Sequence, residues 1–137
     1  MQASSDIQPQ IDAFLAEAAF AVAGASTDRS KYGNKVLRCY QQHGRKVVPI
    51  NPKEEAVEGL TAVADVASLP AEVSAISLVT PPKVTRAVVK AALERGIRQF
   101  WMQPGAEDDE AIALAQAAGA NVLHSGPCLL VVLGYRD

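Results

Sequence analysis

Ala21-Val22-Ala23-Gly24-Ala25-Ser26-Thr27 is the stretch from which the rest of the chain is read. An apolar run over residues 20–23 reaches a turn of small residues. A polar loop over 28–32 follows, and helix-type sequence starts at Gly33. Strand, tight turn and helix in that order open a βαβ unit of the mononucleotide type, which places its ligand at the loop between them.

The same alternation continues outward from that loop. Upstream, Ile7, Ile11, Phe14, Leu15 and Ala18 share one face of a helix expected over 6–18. Ser5 or Asp6 would cap it, with Pro9 in its first turn, and it would cover an edge or a face of the sheet. Downstream, residues 33–43 read as a helix with Val36, Leu37 and Tyr40 inward. A strand over 46–50 ends at Asn51-Pro52-Lys53, and 59–63 reads as a brief edge strand. Asp65 or Ser68 starts or punctuates one helical turn ending at Pro70. A strand over 74–79 runs into Thr80-Pro81-Pro82, and a helix over 84–95 follows, its start marked by Thr80 or Pro82. A strand over 97–102 precedes Gln103-Pro104-Gly105. The helix over 107–118 carries Glu107, Asp108, Asp109 and Glu110 at its N-terminal end, where acids favour the helix dipole. Residues 120–124 form a further strand, and 129–133 are read as a last strand or an extended tail.

The junctions His43-Gly44-Arg45, Arg95-Gly96-Ile97 and Ala118-Gly119-Ala120 share one form. Each closes a helix on a glycine just before a strand, because glycine takes the left-handed position cheaply. Their repetition predicts one α/β domain over 1–137. Its architecture is a Rossmann-like, doubly wound parallel sheet with helices on both faces.

The totals agree. A chain of 137 residues with 49% apolar content supports one packed core and excludes disorder. The net charge of -2, without a basic run, argues against nucleic acid or an anionic membrane as partner. Cys39 and Cys128 read as thiols of a reducing compartment, not as a disulfide framework. Residues 1–10 lack the basic start of a signal peptide and the apolar runs are short, so the cytoplasm is the expected location.

In such a sheet the ligand crevice lies beyond the carboxyl ends of the strands. The segments 24–32, 51–53, 80–83 and 103–105 arrive there. The first loop lacks G-x-G-x-x-G, since the next glycine after Gly24 is Gly33, and it is not a P-loop. Gly24, Ala25, Ser26 and Thr27 suit a phosphate cradle through small size and hydroxyl donors, and equally a plain tight turn. After the second strand an NAD site would carry an acid. Asn51, Pro52 and Lys53 stand there instead, and a positive charge suits an extra ribose phosphate, as in NADP or coenzyme A. Arg29 and Lys31 are likewise candidate phosphate contacts, and all three of Lys53, Arg29 and Lys31 equally read as solvated charges. Thr80, Pro81 and Pro82 make a rigid wall or a stiff helix start, and Gln103 is a candidate ligand hydrogen-bonding group. Trp101 is read as a core or interface residue. His43 and His124 show no metal spacing, and His124 with Cys128 does not amount to a nucleophilic pair. Binding is therefore expected over turnover.

These residues carry a resemblance. Val22-Ala23-Gly24-Ala25-Ser26, Lys31-Tyr32-Gly33-Asn34, Val48-Pro49-Ile50-Asn51-Pro52-Lys53, Thr80-Pro81-Pro82, Trp101-Met102-Gln103-Pro104-Gly105 and Cys128 follow one another in a specific order. The chain thereby resembles the small stand-alone coenzyme A-binding proteins of bacteria, which are similar to the N-terminal domain of the succinyl-CoA synthetase alpha subunit. The resemblance implies coenzyme A or an acyl-CoA in the crevice. It implies the pyrophosphate at Gly24, Ala25 and Ser26 and the adenosine end near Asn51, Pro52 and Lys53. Thr80, Pro81 and Pro82 would line the ligand, and Gln103 would border it. Ligase activity is not carried over, because the phosphorylated histidine of the synthetase lies in a separate domain. Ser125-Gly126-Pro127 departs from the charged residue that relatives carry before the late cysteine, and the apolar 129–133 tail suggests a homodimer surface. Two alternatives stand beside this reading: an NADP-dependent oxidoreductase-like protein, and a protein-interaction module on an inherited nucleotide-binding fold.

Overall fold

The computed structural model describes residues 3–137, with side chains from Ile7 onward. Five parallel strands make the central sheet: β1 (Ala19–Ala23), β2 (Lys46–Ile50), β5 (Ala75–Leu78), β6 (Gln99–Met102) and β7 (Asn121–Leu123). Their spatial order is β2-β1-β5-β6-β7. The order reverses between β1 and β5, so the crevice opens at the carboxyl ends of these two strands. The chain is thus a Rossmann-like α/β sheet flanked by helices, as its glycine-closed junctions imply.

Period-two alternation sends side chains to two faces, each covered. From β1, Ala19, Ala21 and Ala23 join one cluster with Ile76, Leu78, Phe100, Met102 and Val122. α3 (Pro82–Glu94) and α4 (Asp109–Ala117) close that side through Val89, Ala92, Ala111 and Ala115. The small alanines of β1 let helices approach closely there. On the other face Phe20 and Val22 meet Val36, Leu37 and Tyr40 of α2 (Tyr32–Gln42) and Ile11 and Phe14 of α1 (Ala3–Leu15). Trp101 is a core residue of this face, edge-on to Phe14 at 5.3 Å. Its indole N–H donates to the Pro127 carbonyl over 3.1 Å.

Several elements differ in detail from the sequence reading. α1 starts at Ala3, so Ser5 and Asp6 are inside the helix and do not cap it; their side chains lie outside the described ones. Pro9 sits within this helix, beyond its first turn. The expected edge strand over 59–63 is a hairpin, β3 (Ala56–Val57) and β4 (Leu60–Thr61), detached from the main sheet. Glu58 and Gly59 form its two-residue turn with φ of +51° and +78°, the left-handed pair that a tight hairpin demands. Val63 then bridges the outer edge of β2, accepting from the Asn51 N–H and donating to the Pro49 carbonyl. Pro49 is tolerated in β2 because its missing N–H falls on this outer side. Residues 130–134 form neither strand nor extended tail; a π-helical turn, Leu130–Gly134, closes the chain over the α2 face. Asp65 caps a short 3₁₀ turn, Val66–Ser68, and Asp108 caps α4 by accepting from the Ala111 N–H at 2.9 Å. The Arg86 guanidinium forks onto both Asp108 oxygens at 2.9 and 3.0 Å, which joins α3 to α4.

Candidate functional site

At the switch between β1 and β5 lies a cavity of about 750 Å³. That falls within the roughly 300–1,000 Å³ of small-molecule sites. Its first wall is the loop after β1. Gly24 has φ +90°, and a Cβ there would stand 2.1 Å from the Val79 carbonyl oxygen. Gly33, in the first turn of α2, packs against this loop, and a Cβ there would stand 2.0 Å from the Gly24 carbonyl oxygen. Two glycines nine positions apart thus do what a compact glycine fingerprint does: one makes the turn, the other lets the helix approach.

Hydrogen bonds hold the loop in shape. The Ser26 hydroxyl accepts from the Asp28 N–H at 3.0 Å, and Asp28 Oδ1 accepts from the Ser30 N–H at 3.0 Å and the Ser30 hydroxyl at 2.6 Å. These bonds to Ser30 hold the Asp28 carboxyl below its ordinary value. Asn34, fully buried, donates to the Ser26 carbonyl at 2.8 Å and to Glu58 at 2.9 Å, and accepts from Arg38 at 2.7 Å. Asn51 ties the second loop to the first: its amide donates to the Ala25 carbonyl at 2.8 Å and accepts the Lys53 and Glu54 N–H groups. Thr80 spends its hydroxyl on buried Thr85 at 2.6 Å.

The cavity lining includes Gly24, Ala25, Ser26, Lys31, Asn51, Pro52, Lys53, Thr80 and Pro81. Lys31 and Lys53 form no ion pair among the described residues. Thr27, Arg29, Pro82 and Gln103 are outside the lining. Arg29 turns to Glu58, donating at 3.2 Å. Asn34 first, then Arg29, hold the Glu58 carboxyl below its ordinary value. Pro82 opens α3 at the position where a missing N–H costs nothing. Gln103 is fully buried: its Oε1 accepts from the Tyr32 hydroxyl at 3.0 Å and the Leu129 N–H at 2.8 Å, while its Nε2 has no partner.

The sequence reading missed the far wall, where Val66, Val84, Val88 and Ala91 face the cavity beside Asp65. The signal was present in the apolar stripe of α3, yet that stripe reads as core until the topology leaves part of it uncovered. Val84 is 45% exposed. Tyr32, at the end of the loop expected in the crevice but given no role of its own there, lines the cavity, and its hydroxyl, pushed up by burial, borders Cys128. His124 pairs with Ser125 at 3.0 Å, and Cys39 is buried and pushed up to about 11. A larger polar cavity of about 1060 Å³ lies between α2 and the tail, but Arg29 and Arg38 there are engaged by Glu58, Asn34 and Asp137. Among the described residues no cluster of His, Cys, Asp and Glu could hold a metal, and no helix is long and apolar enough to cross a membrane.

The gap between glycine-lined loop and lysines fits a phosphate-bearing ligand: a close backbone approach, positive charge and a helix start meet at one place. Over 89 residues the chain is 34% identical to the alpha subunit of ADP-forming acetate–CoA ligase II of Pyrococcus furiosus, covering 64% of this chain and 20% of that protein. The chain therefore spans about a fifth of that relative's length. The structure of a conserved hypothetical protein from Pyrococcus furiosus matches with TM-score 0.79 and 38% identity, over 83% of this chain and 97% of that one. An acetyl-coenzyme A synthetase from Candidatus Korarchaeum cryptofilum, solved with phosphate and ADP, matches with TM-score 0.70 and 29% identity, over 78% of this chain and 25% of that one. The model of the CoA binding domain matches residues 18–134, and the chain belongs to that family.

Proposed function

We propose that the protein binds coenzyme A or an acyl-CoA in the crevice between β1 and β5. One observation carries this: a cavity of about 750 Å³ at the switch point joins an unpaired Lys31 and Lys53 to an apolar wall on α3. Coenzyme A has that layout, with phosphates at its centre, a 3′-phosphate on the ribose and a flat base at one end. The pyrophosphate sits against Gly24, Ala25 and Ser26, near the α2 N-terminus and Lys31. Its 3′-phosphate is met by Lys53, and Thr80 and Pro81 flank the chain of the ligand. Gln103 acts through Tyr32, whose hydroxyl it holds, and Arg29 through Glu58. Proton-transfer or nucleophilic roles are assigned to no residue of the crevice, so the reading is of binding, with the bound molecule as carrier or signal.

Calorimetric titration with coenzyme A tests this. Saturable binding is expected, and Lys53→Ala should weaken it about two- to fivefold, as loss of one partly exposed ionic contact does. Ser26→Ala should weaken it as well, by loosening the loop. No heat at millimolar ligand, with a folded protein, would remove the reading.

A further inference from the structure

Charge is laid out unevenly along the crevice. Lys31 and Lys53 belong to the loops after β1 and β2, while Asp65 is the acid at the apolar wall. Phosphates are therefore drawn to one end and repelled from the other. Asp65 is also held in place. Its Oδ1 accepts from the Ser68 N–H at 3.0 Å and the Ser68 hydroxyl at 2.9 Å. Arg95 clamps the turn from the other side, donating to the Val66 and Leu69 carbonyls at 2.7 and 2.9 Å. Oδ2 of Asp65 has no hydrogen-bond partner among the described residues. The other polar groups of the lining are cationic or already committed: Asn51 to Ala25, Lys53 and Glu54, Thr80 to Thr85, Ser26 to Asp28.

An exposed carboxylate anchored through Oδ1, sharing the cavity lining with Val66, Val84 and Val88, suits a flat apolar ring bearing a hydrogen-bond donor. We propose that Asp65 reads the exocyclic amine of the ligand's base, making the crevice selective for an aminopurine over its oxo counterpart. This rests on the coenzyme A reading above and adds a specificity-determining residue to it. An oxo group at the same ring position would face the carboxylate acceptor to acceptor, leaving both without a proton between them.

Calorimetry with coenzyme A and with its analogue carrying hypoxanthine in place of adenine tests the assignment, on the wild type and on Asp65→Asn. Asparagine keeps an oxygen for Ser68 and turns an NH₂ towards the ring. The wild type should prefer the adenine form by about tenfold, as expected for a charge-assisted hydrogen bond at a partly exposed site. Asp65→Asn should lose or reverse that preference at unchanged melting temperature. Equal affinity of the wild type for both ligands overturns the assignment without recourse to a variant, and so does a preference that Asp65→Asn leaves intact. A wild type that binds neither ligand removes the coenzyme A reading itself, and this assignment with it.

Discussion

Gly24 and Gly33 are where single atoms matter most. At each, a Cβ would fall about 2 Å from a carbonyl oxygen, far inside contact distance. Gly24 also has a left-handed backbone at φ +90°, which alanine adopts only with strain. Gly24→Ala combines both penalties and should cost about 3 kcal/mol or more. Gly33→Ala, at a helical backbone, carries only the clash and should cost about 1–3 kcal/mol. Chemical denaturation measures both, and a near-wild-type midpoint for Gly24→Ala would contradict the geometry. The sequence made Gly24 legible because it follows an apolar run. Gly33 read as a helix start, because its real contact is with a residue nine positions earlier. Asn34 was similarly opaque: nothing in its neighbours announces that it bonds Ser26, Glu58 and Arg38 together.

The hairpin of β3 and β4 is the element that locks the first loop from behind. Its turn residue Glu58 takes hydrogen bonds from Asn34 and Arg29 while its side chain is only 19% exposed. Its carboxyl is held below the ordinary value of 4.5, chiefly by Asn34 and then by Arg29. A depressed folded-state value means that stability is present above about pH 4.5 and is lost as pH falls through the lower folded value. Asp108, held down by Arg86 and capping α4, acts in the same sense below its ordinary value of 3.8. The melting temperature should therefore drop as pH falls below 4.5. Glu58→Gln should lower it at pH 7 and flatten the upper part of that acid limb. An acid limb identical in Glu58→Gln and wild type would show that the hairpin clamp carries no ionic stabilisation. The edge strand expected over 59–63 failed here for a definite reason: Glu58 and Gly59 adopt the left-handed pair of a two-residue hairpin turn, which Glu-Gly does not announce as Asn-Gly or Asp-Gly would. Val57 and Leu60 pair across it instead of joining β2.

For the whole molecule, the crevice is a seam between loops from β1, β2 and β5, and a ligand spanning it stabilises all of them together. Coenzyme A at about a hundred times its dissociation constant should add about 2.7 kcal/mol to unfolding. Part of that gain is ionic, through Lys31 and Lys53, and surface charges are screened as the Debye length shrinks from about 10 Å at 0.1 M salt to about 3 Å at 1 M. The thermal shift at fixed ligand concentration should therefore shrink between these two salt levels. A shift indifferent to salt would place the binding energy at the apolar wall instead.

What the sequence determined by itself was the alternation of strands and helices. Period-two and period-3.6 patterns, and glycines at helix ends, are local properties that need no partner to be read. It also determined that the loops after β1, β2 and β5 meet at the crevice, because a parallel sheet delivers every strand's carboxyl end to one side, while the 103–105 loop expected there is outside the lining and the Asp65 turn was not foreseen there. What only the tertiary structure decided was which side of each element is spent. Arg29 was drawn away to Glu58, and Gln103 was buried beneath Tyr32 and Leu129. In their place stood Asp65 and the exposed apolar side of α3. Those outcomes depend on contacts between residues distant in the chain, and a hydrogen bond to a distant partner leaves no trace in the residue's own neighbourhood.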